Sequence, residues 1–270
     1  MQQRIITLTT DFGLMDEYVA VMKGVIYSIN PKAIIVDISH AISPQNITAA
    51  ALMISAAYLY FPKNTIHVIV VDPGVGSKRD ILILSMDDHI FVAPDNGVLT
   101  PLLLSDAPKN LFKAENTSYF RPNPSSTFHG RDIFAPVSAH LSLGVPHDKI
   151  GQLKTDAPPV IHPLSKPIID LHGTLEGCIV YCDHFGNIIT NIGSSDLEKY
   201  MDEAEYRKAV ITVNGNEILG IRNTYSDGKP GDFMALINSR GFLEIALPYG
   251  DAAKKLMVAD KCFVRIIKRA

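Results

Sequence analysis

The chain has 270 residues, with 25 Lys and Arg against 28 Asp and Glu, and a formal net charge of −3. With 47% hydrophobic and 20% charged residues, the composition is that of a globular protein and excludes a disordered chain. The slightly acidic balance argues against a protein that binds nucleic acid, because such proteins carry a basic surplus.

The first half of the chain alternates strand and helix patterns. Apolar and β-branched runs predict strands at 4–10, 33–38 and 65–71, and helical spacing of apolar residues predicts helices over 16–29 and 45–60. The third run is continuously apolar, which favours a central strand. This order predicts an α/β fold with a mostly parallel sheet flanked by helices.

A hairpin, a further helix and a linker are predicted in the rest of this half and at its end. Two strands, 81–85 and 89–93, are joined by a two-residue Asp87-Asp88 turn, which predicts a hairpin. A helix is predicted over 133–143. Residues 151–170 contain four prolines and little periodicity, so they are predicted to form a linker.

The remainder of the chain is rich in short strands. These are predicted at 174–182, 188–192, 209–213, 217–221, 233–238 and 242–246. Asn214-Gly215 is a strong hairpin turn, and Ser195-x-x-Glu198 predicts a capping box at the start of one helix. We expect an N-terminal domain over 1–165 and a smaller C-terminal barrel or sandwich over 166–270.

The sequence shows no sign of export or membrane insertion. Three scattered cysteines do not form a secreted disulfide framework, and no long apolar segment typical of a signal peptide is present at the N-terminus. The most apolar helical stretch, 49–61, is too short for a membrane span. We therefore expect a cytoplasmic protein without a membrane partner.

Polar residues follow two of the apolar strands. Asp11 and Phe12 come directly after the first strand, and Asp72 comes directly after the third. Ligands bind outside the carboxyl ends of strands in open α/β sheets, so the two carboxylates are expected to face one crevice. Either could instead cap its own loop. Their equivalent positions favour a functional site.

Gly74 and Gly76 follow Asp72 but do not form a phosphate-binding loop. Their spacing fits neither Gly-rich nucleotide motif, and a strand follows where a helix N-terminus would be needed. We expect these glycines to turn the backbone beside Asp72 and to return Arg79 over the site. The alternative for Arg79 is a solvated loop charge.

His129 and Arg131 flank Gly130 at the entrance of a predicted helix, which suits a small-molecule or anion site. Alternatively, Asp132 caps the helix and His129 packs. Scattered Asp and His residues permit a metal site, but no H-E-x-x-H pattern or close His pair supports one. We expect metal-free chemistry.

Two turns of the second part carry candidate binding residues. Asp183-His184-Phe185-Gly186-Asn187 has the composition of a hairpin loop. Its side chains could also bind an adenine, by Phe185 stacking, by Asn187 hydrogen bonds and by Asp183 pairing with a cation. In the turn Asn238-Ser239-Arg240-Gly241, Arg240 could clamp a carboxylate.

Six collinear segments resemble the S-adenosyl-L-methionine hydroxide adenosyltransferases, relatives of the fluorinases and chlorinases. These segments are 9–13, 71–76, 93–97, 127–132, 183–187 and 238–241. The resemblance implies a C-terminal β-barrel and a homotrimer with the ligand between subunits. It also implies that water attacks the ribose C5′ of S-adenosyl-L-methionine, giving adenosine and L-methionine without a cofactor.

The resemblance also implies residue roles. Asp72, Arg79 and His129 match the triad that handles the water. The matched substrate ligands are Asp11 for the ribose diol, Asp183 for the methionine ammonium, Asn187 for the adenine, and Ser239 and Arg240 for the methionine end. We add Phe12 from the same motif as Asp11, and Phe185 from its ring chemistry.

Three alternatives stay open. The first is a halogenase that uses chloride or fluoride, although the halogenating relatives lack the triad, which favours water. The second is a non-catalytic sensor of S-adenosyl-L-methionine or adenosine. The third is a metal-dependent phosphohydrolase.

Overall fold

A computed structural model describes residues 4–162, 166–258 and 262–268. The chain divides into two compact units, 1–162 and 163–270. We expect the first domain to end at residue 165. This position, like Pro163, lies outside the described residues.

The first unit is built on one seven-stranded sheet in the order β2-β1-β3-β5-β4-β6-β7. Its strands are β1 Ile5–Thr10, β2 Ile34–Ser39, β3 Ile66–Val70, β4 Ile81–Met86, β5 His89–Pro94, β6 Lys109–Ala114 and β7 Gly151–Leu153. Its α-helices are α1 Tyr18–Ile29, α2 Ile47–Ala57, α3 Thr100–Leu103, α4 Ala135–Ser142 and α5 His147–Ile150.

The α/β fold is confirmed, and the sheet has a parallel and an antiparallel half. Strand β1 pairs in parallel with β2 and β3, and β3 pairs in parallel with β5. The next pairings are antiparallel, so β6 again points the same way as β5. The predicted hairpin joins β4 and β5, with Asp87 and Asp88 at φ 51° and 60°.

Apolar side chains on both faces of the sheet explain the helices that cover it. Every residue of β3 is buried, as expected for a central strand. Helix α1 buries Val19, Met22 and Ile26, of which Met22 and Ile26 pack in the same core as α4, and α1 ends at Ile29 as predicted. Because β1 and β3 are parallel neighbours, the loops that carry Asp11 and Asp72 leave the same edge of the sheet.

The second unit contains a curled sheet in the order β12-β11-β16-β9-β10-β15-β14-β13. Its strands are β8 Ile168–Ile169, β9 Leu175–Cys182, β10 Ile188–Gly193, β11 Val210–Val213, β12 Asn216–Leu219, β13 Ile221–Arg222, β14 Met234–Ile237, β15 Phe242–Ala246 and β16 Phe263–Ile267. Its α-helices are α6 Ser194–Tyr200 and α7 Ala252–Leu256.

One glycine shows that this sheet is a nearly closed barrel. Strands β12 and β13 lie at opposite ends of the strand order, yet Gly220 alone separates them in sequence. Gly220 has φ +76°, and its backbone N–H bonds to the Ala209 carbonyl at 2.7 Å. The single strand expected at 217–221 is therefore broken here, because the chain passes from one sheet edge to the other.

Two sequence interpretations are corrected by local hydrogen bonds. The predicted linker at 151–170 begins with β7, which pairs with β6, and later the Val160 N–H bonds to Asp95. The predicted Ser195/Glu198 capping box is wrong, because the N-cap is Gly193, two residues earlier, and the helix begins at Ser194. Asp196 accepts a bond from the Gly193 backbone N–H at 2.9 Å instead.

The helix expected at 133–143 begins at Ala135 and follows a π-helical turn, Gly130–Phe134. Such turns occur often at functional sites, because the wider turn redirects the side chains that precede a helix. Within residues 4–162, 166–258 and 262–268, we find no helix long and apolar enough to cross a membrane.

A buried histidine makes the stability of the first unit depend on pH. His67 is fully buried, bonds to Thr7 Oγ1 at 2.8 Å and stacks on Phe91. Burial, together with the neighbouring His89, lowers the pKa of His67 from 6.5 to about 3. The unfolded chain therefore binds more protons than the folded chain between these two values.

We expect the free energy of unfolding to fall as the pH is lowered from 6.5 toward 3. His67 alone should contribute up to about 1.4 kcal/mol per pH unit. Urea unfolding across this range should show a shallower pH slope for His67→Phe, which keeps the ring packing. Equal slopes for the two proteins would contradict the assignment.

Candidate active site

The loop after β3 carries a buried ion pair. Arg79 Nε donates to Asp72 Oδ1 at 2.6 Å, and Arg79 Nη2 donates to Asp72 Oδ2. The two side chains are only 7% and 4% exposed, respectively. A guanidinium that holds both carboxylate oxygens has a fixed orientation, so the geometry excludes a solvated loop charge for Arg79.

Gly76 explains how the loop returns Arg79 to Asp72. It has φ +78°, and a Cβ there would lie 2.2 Å from the Ser126 carbonyl oxygen. The Val75 N–H closes the turn onto the Asp72 carbonyl at 3.2 Å. The predicted tight turn beside Asp72 is confirmed, and it packs directly against the segment that leads to His129.

His129 completes the cluster through Arg79. Arg79 Nη2 lies 3.1 Å from His129 Nδ1, and a guanidinium can only donate, so Nδ1 is the acceptor. Burial and the charge of Arg79 lower the pKa of His129 below 6.5, although Asp72 and Asp132 oppose this shift. The imidazole is therefore neutral at pH 7 and carries its proton on Nε2.

One donor of Arg79 is left over. Its Nη1 is buried and has no hydrogen-bond partner among the described residues, while the guanidinium lies 5.7 Å from the ring centre of Phe134. Buried donors are nearly always satisfied in folded proteins, so this unpaired donor beside a histidine is available to a further hydrogen-bond acceptor. Sequence patterns did not point to Phe134. It is an aromatic residue at the end of the π-helical turn Gly130–Phe134.

Asp11 and Phe12 follow the carboxyl end of β1, next to the carboxyl end of β3 from which the Asp72 loop leaves. Asp11 Oδ2 accepts a bond from the Gln45 backbone N–H at 2.8 Å, so this carboxylate also ties two loops together. The Phe12 ring contacts Tyr18 and Phe128 at centroid distances of 5.8 and 5.7 Å. Phe12 therefore supports the segment that carries His129.

Asp132 does not serve as a simple helix cap. It accepts bonds from the Ser125 N–H at 2.9 Å and from Arg131 Nε at 2.7 Å. Although burial opposes ionisation, the bonds from Arg131 and Ser125 lower the pKa of Asp132 to about 2. Arg131 is therefore held by Asp132 at this helix entrance, whereas His129 contacts Arg79.

The second unit holds its candidates on neighbouring turns. Asp183 Oδ1 accepts from the backbone N–H groups of Phe185 and Asn187, both at 2.9 Å, so it closes its own hairpin. Asp183 Oδ2 accepts from the Asn187 side chain at 3.1 Å. Phe185 is 73% exposed, and its ring is therefore available for stacking.

Arg240 and Ser239 lie on the adjacent turn. Arg240 Nη1 donates to the Tyr181 hydroxyl, and its guanidinium lies 5.8 Å from that ring centre. Ser239 is exposed. The Asn238 side chain fixes the turn by accepting from the Arg240 N–H at 2.9 Å. Tyr181 thereby brings Arg240 close to the Asp183 hairpin.

Sequence reasoning missed the carboxylate beneath this turn. Glu244 is only 3% exposed and accepts bonds from the Tyr225 hydroxyl and from Asn238 Nδ2, the latter at 3.2 Å. Burial and Glu244 raise the pKa of Tyr225 above its ordinary value. The signal was a single charged residue in the otherwise apolar strand Phe242–Ala246.

The structure thus groups the predicted residues by unit. Asp72, Arg79 and His129 are in contact, and Asp11 and Phe12 share their sheet edge. The remaining five belong to the second unit, namely Asp183, Phe185, Asn187, Ser239 and Arg240. Across the described parts of the chain, no group of three or more His, Cys, Asp or Glu side chains could hold a metal ion.

A buried acid and guanidinium beside a half-buried imidazole, at the carboxyl ends of the strands of an α/β sheet, define an enzyme-type site, accompanied here by a barrel-like unit. Family models agree with this two-part organisation. The SAM hydroxide adenosyltransferase N-terminal domain matches residues 6–151, and the C-terminal domain of the same family matches residues 177–265. The chain belongs to this family.

Individual relatives match over nearly the full chain. A protein from Methanocaldococcus jannaschii named (R)-S-adenosyl-L-methionine hydrolase is 39% identical, over 95% of this chain and 92% of its own. A Thermus thermophilus protein of the same name is 32% identical, over 98% and 100% of the two chains. Relatives named fluorinase are more distant, at 27–30% identity.

A solved structure supports the fold. The crystal structure of an uncharacterized conserved protein from Thermotoga maritima superposes with a TM-score of 0.85 at 36% identity. It covers 97% of this chain and 99% of its own.

We expect Gly76→Ala to destabilise the protein more than Gly144→Ala does. Both positions have positive φ, +78° and +90°, but a Cβ at Gly144 meets nothing within 4 Å, whereas one at Gly76 meets the Ser126 backbone. The control should lose about 1 kcal/mol from strain alone, and Gly76→Ala about 2 kcal/mol or more. Urea unfolding compares them, and equal losses would contradict the close approach.

Proposed function

We propose that this protein cleaves S-adenosyl-L-methionine by substitution at the ribose C5′, with water as the source of the nucleophile and adenosine and L-methionine as products. The observation that carries the proposal is the contact of Asp72, Arg79 and His129, with one donor of Arg79 unpaired. Relatives named as hydrolases of this compound cover nearly the whole chain.

The chemistry of the leaving group explains why a donor-rich site is sufficient. A sulfonium leaves as a neutral thioether when the C5′–S bond breaks and its electron pair returns to sulfur. No acid is needed at sulfur. The reaction needs an oxygen nucleophile held in line with that bond, and positioning alone can remove much of a barrier.

The hydrogen bonds of the triad decide how the oxygen is held. Both carboxylate oxygens of Asp72 accept from Arg79, and His129 Nδ1 also accepts from Arg79. The donor left without a partner is Arg79 Nη1, while the His129 ring also bonds to the Ser125 backbone. A cationic donor stabilises an anionic oxygen and lowers the pKa of a bound water, so we infer that water binds there, releases its proton to solvent and attacks as hydroxide.

The electrostatics of the reaction favour the same arrangement. The negative charge of hydroxide and the positive charge of the sulfonium cancel as the C5′–O bond forms. A site that excludes water therefore favours the transition state, in which these charges are partly cancelled. Its donors are already oriented, so no charged group has to move during the reaction. The ion pair of Asp72 and Arg79 is neutral overall, so it supplies oriented donors without a large net field.

The remaining roles are proposed from the family resemblance. Asp11 and Phe12 would hold the ribose, while Asp183, Phe185 and Asn187 would hold the methionine ammonium and the adenine. Ser239 and Arg240 would bind the methionine end. We also propose a cytoplasmic homotrimer in which each ligand lies between subunits, acting without a cofactor.

Incubation with S-adenosyl-L-methionine in ¹⁸O-water tests the reaction directly. We expect mass spectrometry to show adenosine that carries one ¹⁸O at the 5′ position, with L-methionine in equal amount. Unlabelled adenosine, or no adenosine, would refute the proposal. A 5′-halo-5′-deoxyadenosine formed when halide is supplied would assign a halogenase instead.

Arg79→Lys should remove the bidentate pairing and the spare donor together, because an ammonium group cannot reproduce the planar fork. We expect kcat to fall about 100- to 1,000-fold, as for loss of a donor to a developing charge. Arg265→Lys is the matched control, since Arg265 makes an exposed pair with Glu176 at 2.7 Å. Wild-type kcat in Arg79→Lys would remove this residue from the mechanism.

The pH profile tests the state of His129. Protonation would place a proton on Nδ1, where Arg79 donates, so activity requires the neutral form. The pKa of His129 lies below 6.5 because of burial and Arg79. Accordingly, protonation of His129 should make kcat/KM fall as the pH drops through a midpoint below 6.5. A rate that increases in acid would contradict this assignment.

A further inference from the structure

The turn that follows β5 has no role in the proposed chemistry, although its sequence Asp95-Asn96-Gly97 belongs to one of the six family-like segments. Its contacts converge on the loop that carries Asp72 and Arg79. The side-chain amide of Asn96 donates from Nδ2 to the Val71 carbonyl at 2.9 Å. Val71 directly precedes Asp72, so this bond fixes the start of the loop.

The same turn also fixes the end of the loop. The Asp95 backbone N–H bonds to the Asp80 carbonyl at 2.9 Å, and Asp80 directly follows Arg79. Lys154, whose side chain is 2% exposed, contacts the Asp80 carboxylate at 2.6 Å and that of Asp95 at 3.5 Å. A buried charge held between two carboxylates resists movement of either.

The turn is itself backed by the chain that leads out of the first unit. Asp95 Oδ1 accepts from the Val160 N–H at 2.8 Å, and the His162 N–H donates to Thr100 Oγ1 at 2.9 Å. Gly97 has φ +91°, and a Cβ there would lie 2.4 Å from the His162 Cβ. The turn is therefore fixed on one side by contacts with residues 160 and 162, and on its other side it bonds to the loop from Asp72 to Arg79.

We propose that Asn96 is a positioning residue, which, with Asp95 and Lys154, clamps both ends of the loop from Asp72 to Arg79 and thereby aligns the guanidinium with His129. This inference rests on the proposed function for its catalytic consequence. It differs from general packing because Asn96 Nδ2 bonds to the carbonyl one residue before Asp72, the carboxylate that holds Arg79. A displacement of about 1 Å at such a group can reduce a rate about 100-fold.

Asn116 provides a matched control in the same unit. Its Nδ2 donates to the Lys149 carbonyl at 2.8 Å, and its Oδ1 accepts from the N–H two residues later at 3.1 Å. Asn96 makes the same pair of bonds, the second to Val98 at 3.1 Å. Asn116→Ala therefore removes the same kinds of bond outside the loop.

We expect Asn96→Ala to lower kcat for S-adenosyl-L-methionine about 10- to 100-fold, with a much smaller change in KM. Asn116→Ala should keep wild-type kcat. Asn96→Asp replaces the donor with a charged acceptor and still accepts from Val98, so it should show at least the same loss even if the alanine variant folds poorly. Wild-type kcat in Asn96→Asp, or equal losses in the control, would overturn the proposal.

A second readout does not depend on turnover. Histidine NMR on the ligand-free protein follows the titration of His129, which is faced by Arg79, Asp72 and Asp132. Loosening of the loop lessens the burial of His129 and the influence of Arg79, so the pKa of His129 should rise toward 6.5 in the uncharged variant Asn96→Ala but not in Asn116→Ala. An unchanged pKa in Asn96→Ala would refute the clamp. Absence of adenosine formation by the wild type would refute only the proposed function.

Discussion

The buried ion pair of Asp72 and Arg79 is the constraint on which the site depends. Taking both charges out of water costs several kcal/mol per ion, and their attraction offsets this only when the geometry is good and the other polar atoms are bonded. The pairing here is bidentate, and a third bond reaches His129 at 3.1 Å. Arg79 Nη1 is left unpaired, and the surrounding fold fixes the position of this donor.

Several local features of the first unit serve this placement. Parallel pairing of β1 and β3 brings two loops to one edge, Gly76 allows close approach to Ser126, and the π-helical turn Gly130–Phe134 sets Phe134 beside the guanidinium. The near-neutral charge of the chain is consistent with such a site. A ligand that is both zwitterion and sulfonium needs local carboxylates and oriented donors, and no broad charged surface.

The sequence predicted the elements whose signals are local. Continuous apolar runs located β1 and β3, and Asp87-Asp88 and Asn214-Gly215 located turns with positive φ. The sequence did not predict β7 or the true cap of α6, because pairing with β6 and the bond from the Gly193 N–H to Asp196 decided them. The triad was indicated by motifs, but which nitrogen of His129 is free follows only from its contact with Arg79.

The central claim is that Arg79 holds His129 neutral with its proton on Nε2. Long-range ¹H–¹⁵N NMR of histidine-labelled protein at pH 7.5, without ligand, tests this most directly. We expect a pyrrole-like shift for Nε2 and a pyridine-like shift for Nδ1. Protonation at Nδ1, alone or together with Nε2, would contradict this tautomer, because Arg79 could not then donate to that nitrogen.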